Sequence, residues 1–355
     1  MNNNMPSKVW LLIDSLAFGG IDAYVIELAK GLKQHNVDVE VLLVKRYAAL
    51  SPIVEKLEGN KIKFSYLSST NSFPLLTLLK RINHRGGDII HAHGYKSSLL
   101  AKCARIFTGI TQVSTYHAGE VPKGKVKLYD LIDRYTAFFS SVSLSVSEQV
   151  SSRIPAKTHK INNFIHDSQV RPNQGNQIAF VGRLSYEKAP DRFIQCAECC
   201  SKLDFHIYGS GPMETEIIQS VPNNITLHGH QTDMDKVWEK VFVLVICSRF
   251  EGMPMAALEA MAKGCIVIAY DVGDLPKLIS NGKNGFIVNN LKSLVDTLQN
   301  VTQLSENEKQ AIQKEATDTI QQGFSTSSVI PKILNIYFGS DVQSDSQFDK
   351  NPSSE

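Results

Sequence analysis

Two doubly wound α/β units in tandem, facing each other across a cleft, are the architecture this sequence predicts. Three observations lead there. Short apolar runs alternate with helical patterns along most of the chain, the mark of parallel strands covered by helices on both faces. The alternation restarts after a polar stretch at 171–177 (RPNQGNQ). Segments bearing glycine, proline and charge fall just after strands, where ligands of such sheets bind.

The first unit is read as residues 1–170, with strands at 9–13, 39–44, 61–66, 88–92, 112–116 and 142–146. A helix is expected at 21–34, where Tyr24, Leu28 and Leu32 recur at helical spacing, and another at 97–107. The second unit, 171–325, has strands at 178–181, 204–208, 225–227, 241–246 and 266–269. Lys188 is placed at the start of the helix after its first strand, Pro212 at a first helical position, and Pro254 at the opening of a helix to Met261. A polar helix covers 304–322. The closing helix, 326–339, is expected to return to the first unit, and the tail 340–355 reads as disordered.

With 355 residues, 43 % hydrophobic and 20 % charged, the chain can bury an ordinary core. The net charge of +2 hides an asymmetry: residues 1–172 balance at +9 and 173–355 at −7. The basic half suits an acidic substrate or an anionic membrane, or is simply scattered surface charge. No stretch approaches the ~18 apolar residues of a membrane span, and VWLLI is too short for a signal peptide. Cys196, Cys199 and Cys200 sit at helical spacing and read as a helix face rather than a zinc site. A cytoplasmic protein with reduced cysteines is expected. There is no G-x-G-x-x-G after the first strand and no G-x-x-x-x-G-K-[ST], which weakens dinucleotide and P-loop readings.

The second unit carries the densest chemistry. Arg183 follows IAFVG and Lys188 lies five residues on. Both can meet the charge growing on a departing diphosphate, or form a plain surface pair. Gly209 and Gly211, in YGSGP, would let backbone amides approach a ligand. Glu251 in a loop and Glu259 in the following helix can accept from hydroxyls at opposite ends of one ligand; Glu259 also suits a buried structural acid. In the first unit Gly19 and Gly20 precede a helix and can admit a phosphate. His91 and His93 share one strand face, a pattern open to a metal but without further ligands nearby. His117 ends a strand, where it can bond a substrate, act as a base, or merely cap.

Together these segments resemble the retaining GT-B glycosyltransferases of family 4, from Gly19 to about Val288 and most strongly over 178–288. The E-x7-E pair is Glu251 and Glu259, FVGRL…EK carries Arg183 and Lys188, and G-x-G-P is 209–212. HAHG at 91–94 and ST-x-H at 114–117 also match. The resemblance implies two Rossmann-like domains of the GT-B fold and transfer from a nucleotide sugar, often a UDP-sugar, with retention and with neither cofactor nor metal. It implies that Arg183 and Lys188 bind the donor diphosphate, Glu259 the ribose, and Glu251 the transferred sugar. It also places the amides of Met255 and Ala256 on the phosphates, Gly20 beside them and His117 beside the reacting sugar. The implied acceptor is a glycan or lipid-linked glycan of a surface polysaccharide, such as lipopolysaccharide or capsule, with no nucleic-acid partner.

Two segments depart from the pattern. VGG-x-x-E reads VGDLPK, with Asp274 for glycine and Lys277 for glutamate, and the usual Asn-Gly-x-Asp reads as 162–167 (NNFIHD). An inactive nucleotide-sugar-binding subunit and another GT-B enzyme, such as a phosphorylase or sugar-nucleotide epimerase, are the competing readings. Retention of all four charged residues speaks against the first, and the two combined motifs against the second. Residues 122–139 set Lys123, Lys125 and Lys127 before Leu128, Leu131, Ile132, Tyr135 and Phe139 at helical spacing. That stripe either packs on its own sheet or lies on an anionic bilayer at the inner membrane face.

Overall fold

The computed structural model describes residues 8–16, 18–47, 51–68, 73–85, 87–117, 124–167, 170 and 174–339. The first lobe is a seven-stranded parallel sheet. Its strands are β1 (Lys8–Ile13), β2 (Asp38–Leu43), β3 (Lys63–Tyr66), β4 (Ile89–His93), β5 (Thr111–Tyr116), β6 (Val142–Ser145) and β7 (His159–Lys160), ordered β3-β2-β1-β4-β5-β6-β7. Its helices are α1 (Gly20–Gln34), α2 (Pro52–Gly59), α3 (Pro74–Arg85), α4 (Tyr95–Thr108), α5 (Lys125–Tyr135) and α6 (Glu148–Ser151). Alternate residues of β1 serve both faces: Val9 and Leu11 pack under α1, while Trp10 and Leu12 join Leu42, Leu78 and Ile90 on the other side.

The second lobe repeats the plan with six parallel strands, ordered β10-β9-β8-β11-β12-β13. They are β8 (Gln177–Val181), β9 (Phe205–Tyr208), β10 (Ile225–Gly229), β11 (Val241–Ile246), β12 (Ile266–Tyr270) and β13 (Phe286–Val288). Between and after them come α7 (Pro190–Cys199), α8 (Glu214–Ser220), α9 (Met234–Trp238), α10 (Met255–Ala262), α11 (Leu275–Leu278), α12 (Leu291–Gln303), α13 (Glu306–Gly323) and α14 (Thr326–Phe338). Strands β7 and β13 have two and three residues, too short for periodicity to reveal. The chain crosses back beside its first crossing: Asn162 donates to Gly323 O, and Thr326 donates to Ile165 O through both N–H and Oγ1. Helix α14 then buries Val329, Ile330 and Ile333 in the core formed by Val25, Leu28 and Leu32 of α1. Each such aliphatic side chain is worth about 1.5–3 kcal/mol of burial.

Three local expectations are corrected. Helix α7 starts at Pro190, because Ala189 is left-handed at φ 55°; Lys188 therefore stays in the preceding turn. Helix α8 starts at Glu214, leaving Pro212 in a turn. The apolar stripe of α5 does not pack on the sheet. Leu128, Leu131, Ile132 and Tyr135 are 41–62 % exposed, while Asp133 faces inward at 4 %. The cause is Lys102 of α4, buried at 2 %. Its ammonium donates to Asp133 Oδ1 and O, both at 2.6 Å, and to Tyr116 Oη at 3.1 Å. A buried ammonium without those acceptors would cost several kcal/mol, so the ion pair sets the rotation of α5 and turns its stripe outward. Pro122, Lys123 and the Lys125 side chain lie outside the described residues, as do 171–173 and the tail from Ser340.

Cys196 and Cys200 are buried in the second-lobe core and Cys199 is exposed. Among the described residues no group of three or more His, Cys, Asp or Glu is disposed to hold a metal. No described helix is long and apolar enough to cross a membrane.

Candidate active site

In each sheet the chain reverses direction of growth at one point, between β1 and β4 in the first lobe and between β8 and β11 in the second. Loops leaving such neighbouring strands diverge and open a crevice at their carboxyl ends. In the second lobe those loops are 182–189 and 247–254, and they bring Lys188 and Glu251 together. Lys188 Nζ donates to Glu251 Oε1 at 2.6 Å and to Oε2 at 2.8 Å, and Ser248 Oγ donates to Oε1 at 2.6 Å. Glu251 is 7 % exposed. Its Oε1 is fully engaged, whereas Oε2 keeps a lone pair for a further donor. Arg183 is exposed and forms no ion pair among the described residues. Arg249 binds Asp191 through both guanidinium arms and covers the Tyr186 ring at 4.3 Å, which pins the outer side of the Lys188 turn.

Gly209 and Gly211 have a structural cause that the sequence did not reveal. A Cβ on Gly209 would lie 1.9 Å from Gly182 O, and one on Gly211 would lie 2.5 Å from Leu184 O. Leu184 N–H donates to Ser210 O and Met213 N–H to Leu184 O. The two loops are laced backbone to backbone, so these glycines underpin the segment that carries Arg183.

Helix α10 begins with Met255 and Ala256 behind Pro254, which has no side chain able to cap it. The first amides of this helix are therefore open to an anion. Asn163 Nδ2 holds the approach to the helix by donating to Met253 O at 2.6 Å. One turn on, Glu259 accepts from Trp238 Nε1 at 3.0 Å. Burial pushes its carboxyl up to about 7; the Trp238 N–H opposes this, while Glu27 and Asp235 add to it.

Across the crevice, Gly20 faces α10: a Cβ there would be 3.9 Å from Met255 Cγ. The Gly19 amide is already engaged, donating to Asp22 Oδ2 at 2.9 Å. His93 and His117 stand at the ends of β4 and β5, with His91 two residues back along β4. His93 Nδ1 is 3.0 Å from His117 Nε2, and His91 joins Tyr337 Oη at 2.5 Å and Thr115 Oγ1 at 2.6 Å. Burial pulls His91 and His117 down to about 3, so both stay neutral.

Asp274 and Lys277 form a charged seam between the lobes. Lys277 pairs with Glu148 of α6 and, at 3.4 Å, with Asp274; Lys160 of β7 stands 3.7 Å from Asp274. Asp274 is buried at 2 %, and its backbone N–H donates to Gly252 O. The Asp and Lys substitutions thus come as a matched set with first-lobe charges. Ser248 and Trp238 were not anticipated, and Asn163 was noted only as part of the departing 162–167 stretch. Trp238 reaches Glu259 from a segment without a motif, whereas Ser248, three residues before Glu251, stood close enough to notice.

Two parallel α/β lobes with this charged crevice between them define the GT-B class of glycosyltransferases. The chain belongs to their group 1, family 4 type: residues 18–169 match Glycosyltransferase Family 4, and residues 175–304 match Glycosyl transferases group 1. It is 29 % identical over 191 residues to the poly(ribitol-phosphate) alpha-N-acetylglucosaminyltransferase of Staphylococcus aureus, covering 50 % of this chain and 38 % of that relative. It is 24 % identical over 304 residues to the Escherichia coli UDP-Gal:alpha-D-GlcNAc-diphosphoundecaprenol alpha-1,3-galactosyltransferase, covering 74 % and 78 %. Anabaena HepE, solved with UDP and glucose, shares the fold at a TM-score of 0.80 and 16 % identity, over 94 % of this chain and 99 % of that one.

Proposed function

We propose that this chain transfers a sugar from a UDP-sugar to a glycan or lipid-linked glycan acceptor in surface-polysaccharide synthesis, with retention at the anomeric carbon. The observation that carries the reading is the second-lobe crevice, where the open N-terminus of α10, the Lys188–Glu251 pair and Glu259 stand around one strand-end space. In this reading Arg183, Lys188 and the Met255 and Ala256 amides hold the diphosphate, Glu259 holds the ribose, and Glu251 Oε2 accepts from a sugar hydroxyl. The anomeric C–O bond to phosphate breaks, the acceptor oxygen bonds the same face, and the acceptor proton passes to the departing diphosphate. Fixed cations meet the charge that grows on that group, so no divalent ion is required. The named substrates of the two relatives, a poly(ribitol-phosphate) and a diphosphoundecaprenol-linked sugar, support a surface-glycan acceptor.

The exposed face of α5 supports docking on an anionic bilayer. Leu128, Leu131, Ile132 and Tyr135 lie outward beside Phe138 and Phe139, and Arg105 links the α4 end, with exposed Ile106 and Phe107, to Phe139 O. Lys127 on the same helix is exposed. An apolar face beside basic groups is the surface that interfacial helices present to lipid.

A thermal-shift panel of nucleotide sugars followed by product analysis tests the reading. One UDP-sugar should raise the melting temperature, because binding to the native state stabilises it by mass action. Transfer should then proceed with retention in the presence of a chelator. Stabilisation by none of the panel, or an inverted product, would overturn it.

A further inference from the structure

His93 is 1 % exposed and takes no part in the chemistry above. Its Nδ1 is 3.0 Å from His117 Nε2, so one proton joins the two rings. Its own Nε2 is buried without a hydrogen-bond partner among the described residues. Burial, and then the neighbouring His91 and His117, hold His93 well below the ordinary histidine range, and burial does the same to His117. Each ring is therefore neutral and carries a single N–H.

Two proton arrangements are available. If His117 donated, the proton of His93 would sit on Nε2 as an orphaned donor inside the lobe. If His93 donates from Nδ1, its Nε2 is only an unfilled lone pair. Buried N–H groups without acceptors are rarer and costlier than unfilled acceptors, so the second arrangement wins. His117 then accepts at Nε2 and keeps its own proton on Nδ1. That nitrogen is turned away from His93, on a ring half-buried at the strand end.

We propose that His93 is a positioning residue that locks His117 in its Nδ1–H tautomer, making His117 a hydrogen-bond donor to the sugar in transfer rather than a base. The inference rests on the reading that His117 lies beside that sugar. Packing fixes the geometry. The His91 ring lies 4.2 Å from that of His93, and Tyr24 meets His93 at 5.6 Å and His117 edge-on at 4.8 Å. His91 is itself held by Tyr337 Oη and Thr115 Oγ1. A donor at this place fits a route in which the leaving diphosphate, not the histidine, receives the acceptor proton.

Long-range proton–nitrogen NMR of the full chain with labelled histidine reads the tautomers directly. The wild type should show His117 protonated on Nδ1. His93→Asn keeps an N–H where Nδ1 stands and should preserve that tautomer; His93→Phe should lose it. Turnover should fall about 10- to 100-fold in His93→Phe with donor KM within about threefold, and His93→Asn should restore most of it. An Nε2-protonated His117 in the wild type would overturn the inference whatever the variants do. So would a folded His93→Phe with unchanged tautomer and turnover. Full activity in His117→Ala would instead sink the placement of His117 beside the sugar, a separate failure, because the tautomer is read without turnover.

Discussion

At the first-lobe switch point the chain ends in neutral rings, His91, His93, His117 and Tyr24; at the second-lobe switch point the same topology ends in Arg183, the Lys188–Glu251 pair and Glu259. Burial acts on both walls with opposite consequences. It removes charge from the histidines and raises Glu259 to about 7, while buried Glu251 is met by the Lys188 ammonium at 2.6 Å. The contrast teaches a division of labour. On the proposed reading, one wall meets phosphate charge with charge, and the other offers uncharged donors to a neutral sugar.

The largest expected effect tests the charged wall. Lys188→Ala removes a cation and leaves Glu251 buried with Ser248 as its remaining partner. Turnover should fall about 10²- to 10³-fold and stability by about 3 kcal/mol. Adding Glu251→Gln should recover the stability but not the turnover. Denaturant unfolding and steady-state kinetics separate the two, and a double variant that recovered both would reduce the pair to scaffolding.

The next effect sets the walls against each other through pH. Glu259 has a folded pKa of about 7, above the ordinary glutamate value of 4.5. The stability it contributes is present below pH 4.5 and lost as pH rises through about 7, a change of roughly 3 kcal/mol. Glu259→Gln should flatten that limb. The histidines have the opposite sign. With folded values near 3 against 6.5, His91 and His117 contribute stability that is present above pH 6.5 and lost as pH falls toward 3. His91→Gln should ease only that acid limb. Urea midpoints from pH 4 to 8 measure both, and a Glu259→Gln protein with an unchanged neutral limb would remove the buried-acid description.

The sequence carried different amounts of each wall. Strand–helix alternation located eleven of the thirteen strands, because runs such as Val241–Ile246 are apolar on both faces. The charged wall was legible because Arg183, Lys188, Glu251 and Glu259 stand in local motifs at strand ends. Their mutual contacts were not, since Lys188 meets Glu251 across 63 positions and Trp238 meets Glu259 across 21. The outward turn of α5 was hidden for the same reason: its cause is Lys102, on another helix. Gly209 and Gly211 were visible, but the loop that requires them was not.

The smallest effect concerns the outward face of α5. Lys123, Lys125 and Lys127 changed to Glu should weaken binding to anionic vesicles by ~1 kcal/mol per lysine removed, and more in low salt than in high. Co-sedimentation reads it. No binding of the wild type at low salt would point to a soluble acceptor and leave the cleft assignment intact.

Titration calorimetry with UDP tests the division between the walls most directly. Glu259→Ala and the Arg183→Ala, Lys188→Ala pair should each weaken UDP binding about ten- to a hundred-fold, the scale of a lost charged hydrogen bond. His117→Ala should leave UDP affinity unchanged while lowering transfer. UDP affinity that ignored the second-lobe substitutions in folded protein, or that collapsed in His117→Ala, would contradict the account.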